Sequence, residues 1–196
     1  MDLSDYLKRE SSDSHESIEK SFDLMGFVSH NDSYITVLKA FYCYFRQIEL
    51  QLRTFSDDFS KAGIDIESRL KLHLLKADLN FFGVFNLEDL PRLEKKQLPN
   101  MINYLQAIGV LYVLEGSTLG GQVISKQLRK ANLLGIKGEG GLFLSGYGDK
   151  THEMWSSFKF ALNKFSGHNN NAVLNAVKET FQTLEKWLIE SRSNVR

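Results

Sequence analysis

The stretch YVLEGSTLGGQ, residues 112–122, places three glycines inside a pattern that is otherwise typical of a long helix. The upstream run NMINYLQAIGVLYVL (100–114) predicts that the helix is established before Gly116. A glycine in a helix interior costs about 1 kcal/mol relative to alanine. Gly109, Gly116 and Gly120 are separated by seven and four residues, so they share one helix face. That face has no side chains, which indicates that something approaches the backbone closely.

Three kinds of close approach could explain such a face. A membrane dimer motif requires an apolar run, and Glu115, Gln122 and Lys126 exclude it. A nucleotide-binding glycine loop follows a strand, whereas the upstream sequence here is helical. The spacing leaves two interpretations about equally supported: close packing of another helix, or a flat ligand lying against the backbone. The adjacent Gly120 and Gly121 favour the ligand slightly, because glycine pairs are common places for a helix to kink.

The whole chain, residues 1–196, is predicted to form a single all-α domain. It contains two prolines, and its 42% hydrophobic and 24% charged residues are normal for a globular protein. Further apolar patterns at helical spacing predict helices over 3–24, 34–55, 66–82, 97–134, 150–166 and 170–190. The segment nearest to a strand pattern is GLFLSGY (141–147), and it is short.

Composition narrows the function classes and the expected location. The formal net charge is zero, which argues against a nucleic-acid binder held by phosphate neutralisation. No run of 18 apolar residues exists, so no membrane span is expected. The start, MDLSDYLKRE, lacks the apolar core of a signal peptide. The single Cys43 cannot form an internal disulfide, which weakly indicates a reducing compartment. We therefore expect a cytoplasmic protein.

One histidine is predicted to point inward. Five residues follow each other in steps of four, four, three and four: Leu7, Ser11, His15, Ile18 and Phe22. This periodicity predicts that His15 lies on a buried stripe. A lone inward histidine is most often a core residue, and no histidine, cysteine and carboxylate cluster has zinc spacing. A single histidine suffices, however, where the metal brings its own ligands, as the iron of haem does.

Four segments together resemble one known family. They are LKRESSDSHESIE (7–19), AFYCYFRQIELQL (40–52), YVLEGSTLGGQVISKQL (112–128) and TFQTLEKWL (180–188). The chain resembles the bacterial, biliverdin-producing haem oxygenases, and the third segment is the most specific. It departs from the family pattern at Ser11, where threonine is usual, and at Lys8, where arginine is common. Both changes are conservative.

The resemblance implies an all-α fold in which haem (iron protoporphyrin IX) lies between a proximal helix and a kinked distal helix. His15 would be the axial ligand of the haem iron. Gly116 and Gly120 would pass closest over the porphyrin.

The resemblance also assigns three polar residues around the ligand. Lys8 and Tyr112 match positions that contact haem propionates. Ser117 stands where animal members carry a catalytically important aspartate, which implies a differently organised distal water network. Together with Gly116 and Gly120, Ser117 completes the expected catalytic set.

The implied reaction is the O2- and electron-dependent cleavage of haem to biliverdin, CO and ferrous iron, with haem as both substrate and cofactor. Electrons would come from an external donor, namely a reductase, ferredoxin or ascorbate, because the sequence contains no flavin, iron–sulfur or nicotinamide motif. The product acceptor would be a phytochrome or another biliverdin-binding protein. Neither a nucleic acid nor a membrane is an expected partner.

Two other functions stay open from the sequence. The same scaffold could serve as a non-catalytic haem- or bilin-binding protein, because fold alone does not fix function. A helical interaction domain without haem would place His15 in the core and the glycines at a tight crossing. That last alternative does not explain why an inward histidine, a basic residue seven positions before it and EGSTLGGQ occur together.

Overall fold

The computed structural model describes residues 1–21, 31–165 and 170–193, and within these ranges it contains helices and no β-strand. The helices are α1 (Leu3–Glu10), α2 (Ser12–Ser21), α3 (Asn31–Arg53), α4 (Ser56–Lys61), α5 (Leu72–Phe81), α6 (Tyr104–Lys130), α7 (Leu142–Ser145), α8 (Thr151–Asn163) and α9 (Asn170–Ser193). Single 3₁₀ turns occupy Glu67–Arg69, Leu87–Asp89, Lys95–Gln97 and Gly148–Lys150. The predicted all-α fold is confirmed.

The core is built around α6, which packs on α9, α7 and α8, while α3 packs on α5 and α9. Helix α6 begins later than predicted because the Asn103 side chain caps it, accepting a hydrogen bond from the Gln106 amide at 3.1 Å. By length and composition α6 could also cross a membrane, but 61% of its most apolar window is buried inside the protein. That burial is typical of a core helix. The helix is continuous through Gly120 and Gly121, and the kink stays a prediction.

Two glycines of α6 are explained by packing. A Cβ added to Gly109 would lie 2.7 Å from the Val173 carbonyl oxygen and 2.9 Å from the Ala176 Cβ, so α9 crosses α6 at this point. A Cβ added to Gly121 would lie 2.6 Å from the Leu144 carbonyl oxygen on α7. Both positions therefore require glycine for the close approach of another backbone.

We predict that Gly121→Ala and Gly120→Ala change stability in opposite directions. The alanine methyl at position 121 collides with backbone, so we expect the free energy of unfolding to fall by about 1–3 kcal/mol. Position 120 is exposed and no described atom lies within 4 Å of an added Cβ, so helix propensity should raise stability by up to about 1 kcal/mol. Urea unfolding followed by far-ultraviolet circular dichroism measures both. A Gly121→Ala protein as stable as the parent would contradict the close approach.

The first predicted helix, 3–24, is two helices. Ser11 lies between them with φ −110° and ψ 6°, and its hydroxyl donates to the Leu7 carbonyl at 2.7 Å. Leu3 and Leu7 are fully buried on α1, whereas α2 has no buried residue. Phe22 and the rest of the predicted helix lie outside the described residues.

The segment 141–147 forms a short helix instead of a strand, because Asp78 on α5 caps it. The Asp78 carboxylate accepts hydrogen bonds from the Leu142 and Phe143 amides at 2.9 and 2.8 Å. Burial raises the pKa of the Asp78 carboxyl to about 6, against the opposing effect of these amides. Gly146, with φ 58°, ends the helix. This contact holds α7 in place against Gly121.

Candidate functional site

The other two glycines of α6, Gly116 and Gly120, lie beyond the point where α9 crosses it. Gly120 is exposed and Gly116 is half-buried. The atom nearest to a Cβ added at Gly116 is Cη2 of Trp155, at an ordinary contact distance of 3.8 Å. In contrast to Gly109, neither position is filled by backbone of the described residues. This part of the helix face is bare.

The prediction that His15 is buried is wrong. Its side chain is 57% exposed, and the helix that carries it has no buried residue. The predicted direction of the side chain is correct. The His15 ring meets the Phe181 ring edge-on with 5.7 Å between centroids, and Ile18 packs on the core. Helix α2, however, packs mainly on α9 and α1 and has no buried residue, so among the described residues the stripe faces inward without being covered.

Neither ring nitrogen of His15 makes a hydrogen bond to a described residue. Nδ1 lies 3.6 Å from Oε2 of Glu19, one turn later, which is too long for a direct hydrogen bond. Nε2 has no hydrogen-bond partner among the described residues. Because α2 and α6 both pack on α9, the histidine and the bare glycine face are carried by two helices with a common support.

Ser117 is exposed, and its hydroxyl makes a hydrogen bond within its own helix. Its hydroxyl donates to the Leu114 carbonyl at 2.8 Å. In this rotamer the oxygen has free lone pairs, so Ser117 can accept a hydrogen bond from water but does not donate one outward.

Tyr112 lies one turn before Gly116, with its ring packed and its hydroxyl at the surface. The residue is 8% exposed, and the hydroxyl has no partner within the part of the chain that the structure describes. Burial, with a smaller contribution from the nearby Asp5 carboxylate, raises the pKa of the phenol to about 12. The hydroxyl is therefore a neutral donor. Lys8 is an exposed residue of α1.

Two residues of α8 belong to this region, and no sequence motif marked them. The Trp155 ring packs against Tyr112 with 5.5 Å between centroids and lies beside Gly116. Lys159 is half-buried, its ammonium lies 5.8 Å from the centre of the Trp155 ring, and it has no acidic partner in the described ranges. The Lys159 ammonium is therefore available to an anion on this side of α8.

A buried charge cluster is centred on Glu115, the residue before Gly116 in α6. Glu115 is fully buried and pairs with Arg69, with Lys71 at 2.8 Å and with the Tyr147 hydroxyl at 2.5 Å. Burial lowers the pKa of Lys71, while the Glu115 carboxylate opposes that shift. Arg69 also donates to the Met154 carbonyl at 3.2 Å. The cluster therefore ties α6 to α8.

The chain shares sequence features with one family over nearly its whole length. The profile of the family described as "Heme oxygenase" matches residues 1–190. The chain belongs to the haem oxygenase family. Members of this family are haem-degrading oxidoreductases, so the chain is an enzyme of that class. The comparison with curated protein sequences gives no match.

Solved haem oxygenases share the fold. The NO- and CO-bound enzyme from Neisseria meningitidis superposes with a TM-score of 0.80 at 22% identity, covering 98% of this chain and 93% of that one. The enzyme from Leptospira interrogans gives 0.79 at 19% identity, covering 97% and 100%. Haem oxygenase-1 from Synechocystis, solved with haem, gives 0.77 at 18% identity, covering 99% and 94%.

Proposed function

We propose that this haem oxygenase binds haem between α2 and α6 and cleaves it to biliverdin, CO and ferrous iron. The proposal rests on a difference between the glycines of α6, two of which are covered by another helix and two of which are not. Gly109 and Gly121 are filled by backbone, whereas Gly116 and Gly120 are bare. Packing alone does not require glycine at the bare positions, but a flat ligand lying on the helix does.

The donor chemistry of His15 fits the iron of haem. A neutral imidazole is a common axial ligand, and Nε2 is free to serve as one. Glu19, with its carboxylate 3.6 Å from Nδ1, can orient the ring through a small rotation or a bridging water. The exposure of His15 supports this role, since a ligand that must enter from solvent needs an accessible donor.

The edge of the proposed site carries groups suited to the haem propionates. Lys8 and Lys159 are cations, and the Tyr112 hydroxyl is a neutral donor. Asp5 near Tyr112 opposes a second carboxylate there, so we assign the larger share of propionate binding to the two lysines.

Bound haem supplies the iron and the O2 chemistry, while the protein positions groups around it. Gly116 and Gly120 would leave room for a flat ring and O2, and the Ser117 oxygen, whose proton goes to the Leu114 carbonyl, would accept a hydrogen bond from water there. The buried carboxylate of Glu115, the residue before Gly116, is paired with Arg69 and Lys71.

The remaining parts of the proposal concern partners and location. Electrons come from an external reductase, ferredoxin or ascorbate, and the biliverdin passes to a phytochrome or another bilin-binding acceptor. We place these events in the cytoplasm. These assignments rest on the sequence features and on the family.

Incubation with hemin, ascorbate and O2 tests the proposed reaction. We expect a Soret band on hemin binding, then its loss with the appearance of biliverdin and CO. A Soret band that persists under these conditions without biliverdin would identify a haem carrier. The absence of any Soret band would reject haem binding.

A further inference from the structure

We propose that Trp155 fixes the in-plane orientation of the porphyrin and thereby determines which meso carbon is cleaved. The inference rests on the proposed function and adds a specificity-determining residue to it. It follows from an asymmetry between the two bare glycines, Gly116 and Gly120.

The indole of Trp155 bounds the space over one glycine only. Its Cη2 atom lies 3.8 Å from the position of a Cβ on Gly116, whereas no described atom lies within 4 Å of that position on Gly120. A flat ring lying on this face therefore has open space at the Gly120 end. At the Gly116 end its edge meets the indole.

The indole is held firmly enough to act as a wall. It stacks on Phe158 with 5.8 Å between ring centroids and an interplanar angle of 24°, and its centroid lies 5.5 Å from that of the Tyr112 ring. Fixed aromatic contacts of this kind restrict the side chain to one rotamer.

The buried charge cluster fixes this wall relative to the glycine face. The Arg69 guanidinium binds the Met154 carbonyl at 3.2 Å and the Ser157 hydroxyl at 2.9 Å, on both sides of Trp155 in the chain. The same guanidinium pairs with Glu115, the residue before Gly116. One buried cation thus connects the backbone that carries the indole to the helix that carries the glycine. Arg69 is a positioning residue in this arrangement.

The other contacts proposed for haem do not distinguish its orientations as sharply. The axial bond to His15 permits rotation about its own direction, and glycines present the same bare surface to any rotated ring. Lys8 is exposed, and its long flexible side chain can follow a propionate through several ring orientations. The Trp155 indole contacts the ring at one edge only. Because the vinyl, methyl and propionate edges of the porphyrin differ in size, this contact favours one orientation over the others. The nearby ammonium of Lys159 favours a propionate beside this wall.

Trp155→Ala tests the assignment, with Phe160→Ala as the matched control. Phe160 is an aromatic residue of the same helix but is 71% exposed. Each in-plane orientation of ferric haem gives its own set of ring-methyl proton resonances. For Trp155→Ala we expect haem to bind through His15 while the ratio of major to minor orientation falls about tenfold, equivalent to about 1.4 kcal/mol. The ratio of biliverdin isomers should change in the same direction. Phe160→Ala should match the parent in both measurements.

Trp155→Phe provides a second test that does not depend on the alanine variant folding. It keeps an aromatic ring against Phe158 but removes the outer ring that carries Cη2, so we expect a smaller shift in the same direction. Parent-like methyl patterns and isomer ratios in both Trp155 variants would overturn the inference and leave the proposed function intact. A parent protein that binds no haem would overturn both.

Discussion

His15→Ala should lose at least about a hundredfold in biliverdin formation without losing its fold. Mutation of the groups that merely support a metal ligand typically costs 10–100-fold, and removal of the ligand itself should cost more. The side chain is over half exposed on a helix with no buried residue, so the free energy of unfolding should change by no more than about 0.5 kcal/mol. A core histidine would behave in the opposite way.

The measurements for His15 are the Soret spectrum, the rate of biliverdin formation and urea unfolding of the haem-free protein. Added imidazole should restore part of the activity, because it supplies the missing nitrogen. His152→Ala is the matched control, since His152 is an exposed histidine on α8. Normal turnover in His15→Ala would show that the iron is held elsewhere.

Gly120→Leu should weaken haem binding by about ten- to a hundredfold, the equivalent of overpacking a close contact by about 1–3 kcal/mol. The haem-free protein should be no less stable than the parent, because the new side chain points into solvent and leucine favours a helix over glycine by about 1 kcal/mol. Loss of affinity without loss of stability separates a ligand contact from a helix-packing contact. Gly116→Leu should also exclude or tilt haem, but its side chain additionally meets Trp155.

Hemin titration followed at the Soret band measures the affinity of Gly120→Leu. Gln127→Leu is the control, because it adds a leucine at an exposed position two turns further along α6. Parent-like affinity in Gly120→Leu, with turnover unchanged, would mean that haem does not lie on this face.

The glycine positions of α6 could be predicted from the sequence, but which of them are covered by other helices could not. Spacing left packing and a ligand about equally supported, and the structure shows that packing accounts for only two of the four glycines. Gly109 and Gly121 are packing positions, while Gly116 and Gly120 are bare. The period of a helix places residues on a common face, but only the path of the neighbouring chain decides which part of that face is covered.

The long helices were predicted as helices, with errors at their ends, whereas the short helix α7 was not predicted. Residues 66–82 were predicted as one helix, but they contain the turn Glu67–Arg69 followed by α5. The reason is a long-range contact, in which the Glu49 carboxylate accepts the Lys71 and Leu72 amides at 2.6 and 2.9 Å. Helix α4 was not predicted either. Caps supplied from distant parts of the chain leave no local pattern in the sequence.

The surroundings of the candidate site residues could be predicted only in part from the sequence. The burial of His15 was predicted wrongly, because periodicity reports the direction of a side chain and not whether another element covers it. Trp155 and Lys159 were missed because their roles depend on how α8 lies against α6. The roles of Lys8, Tyr112 and Ser117 toward haem stay predictions that rest on the family resemblance.

The central claim is that haem lies on the bare part of α6, and nuclear magnetic resonance of the glycine α-protons tests it most directly. In the diamagnetic ferrous CO complex, the porphyrin ring current shifts protons that lie over the ring strongly upfield. We predict large upfield shifts for Gly116 and Gly120 relative to the haem-free protein, and small shifts for Gly109, which α9 covers. Unshifted resonances of Gly116 and Gly120 in a haem-saturated sample would contradict the account.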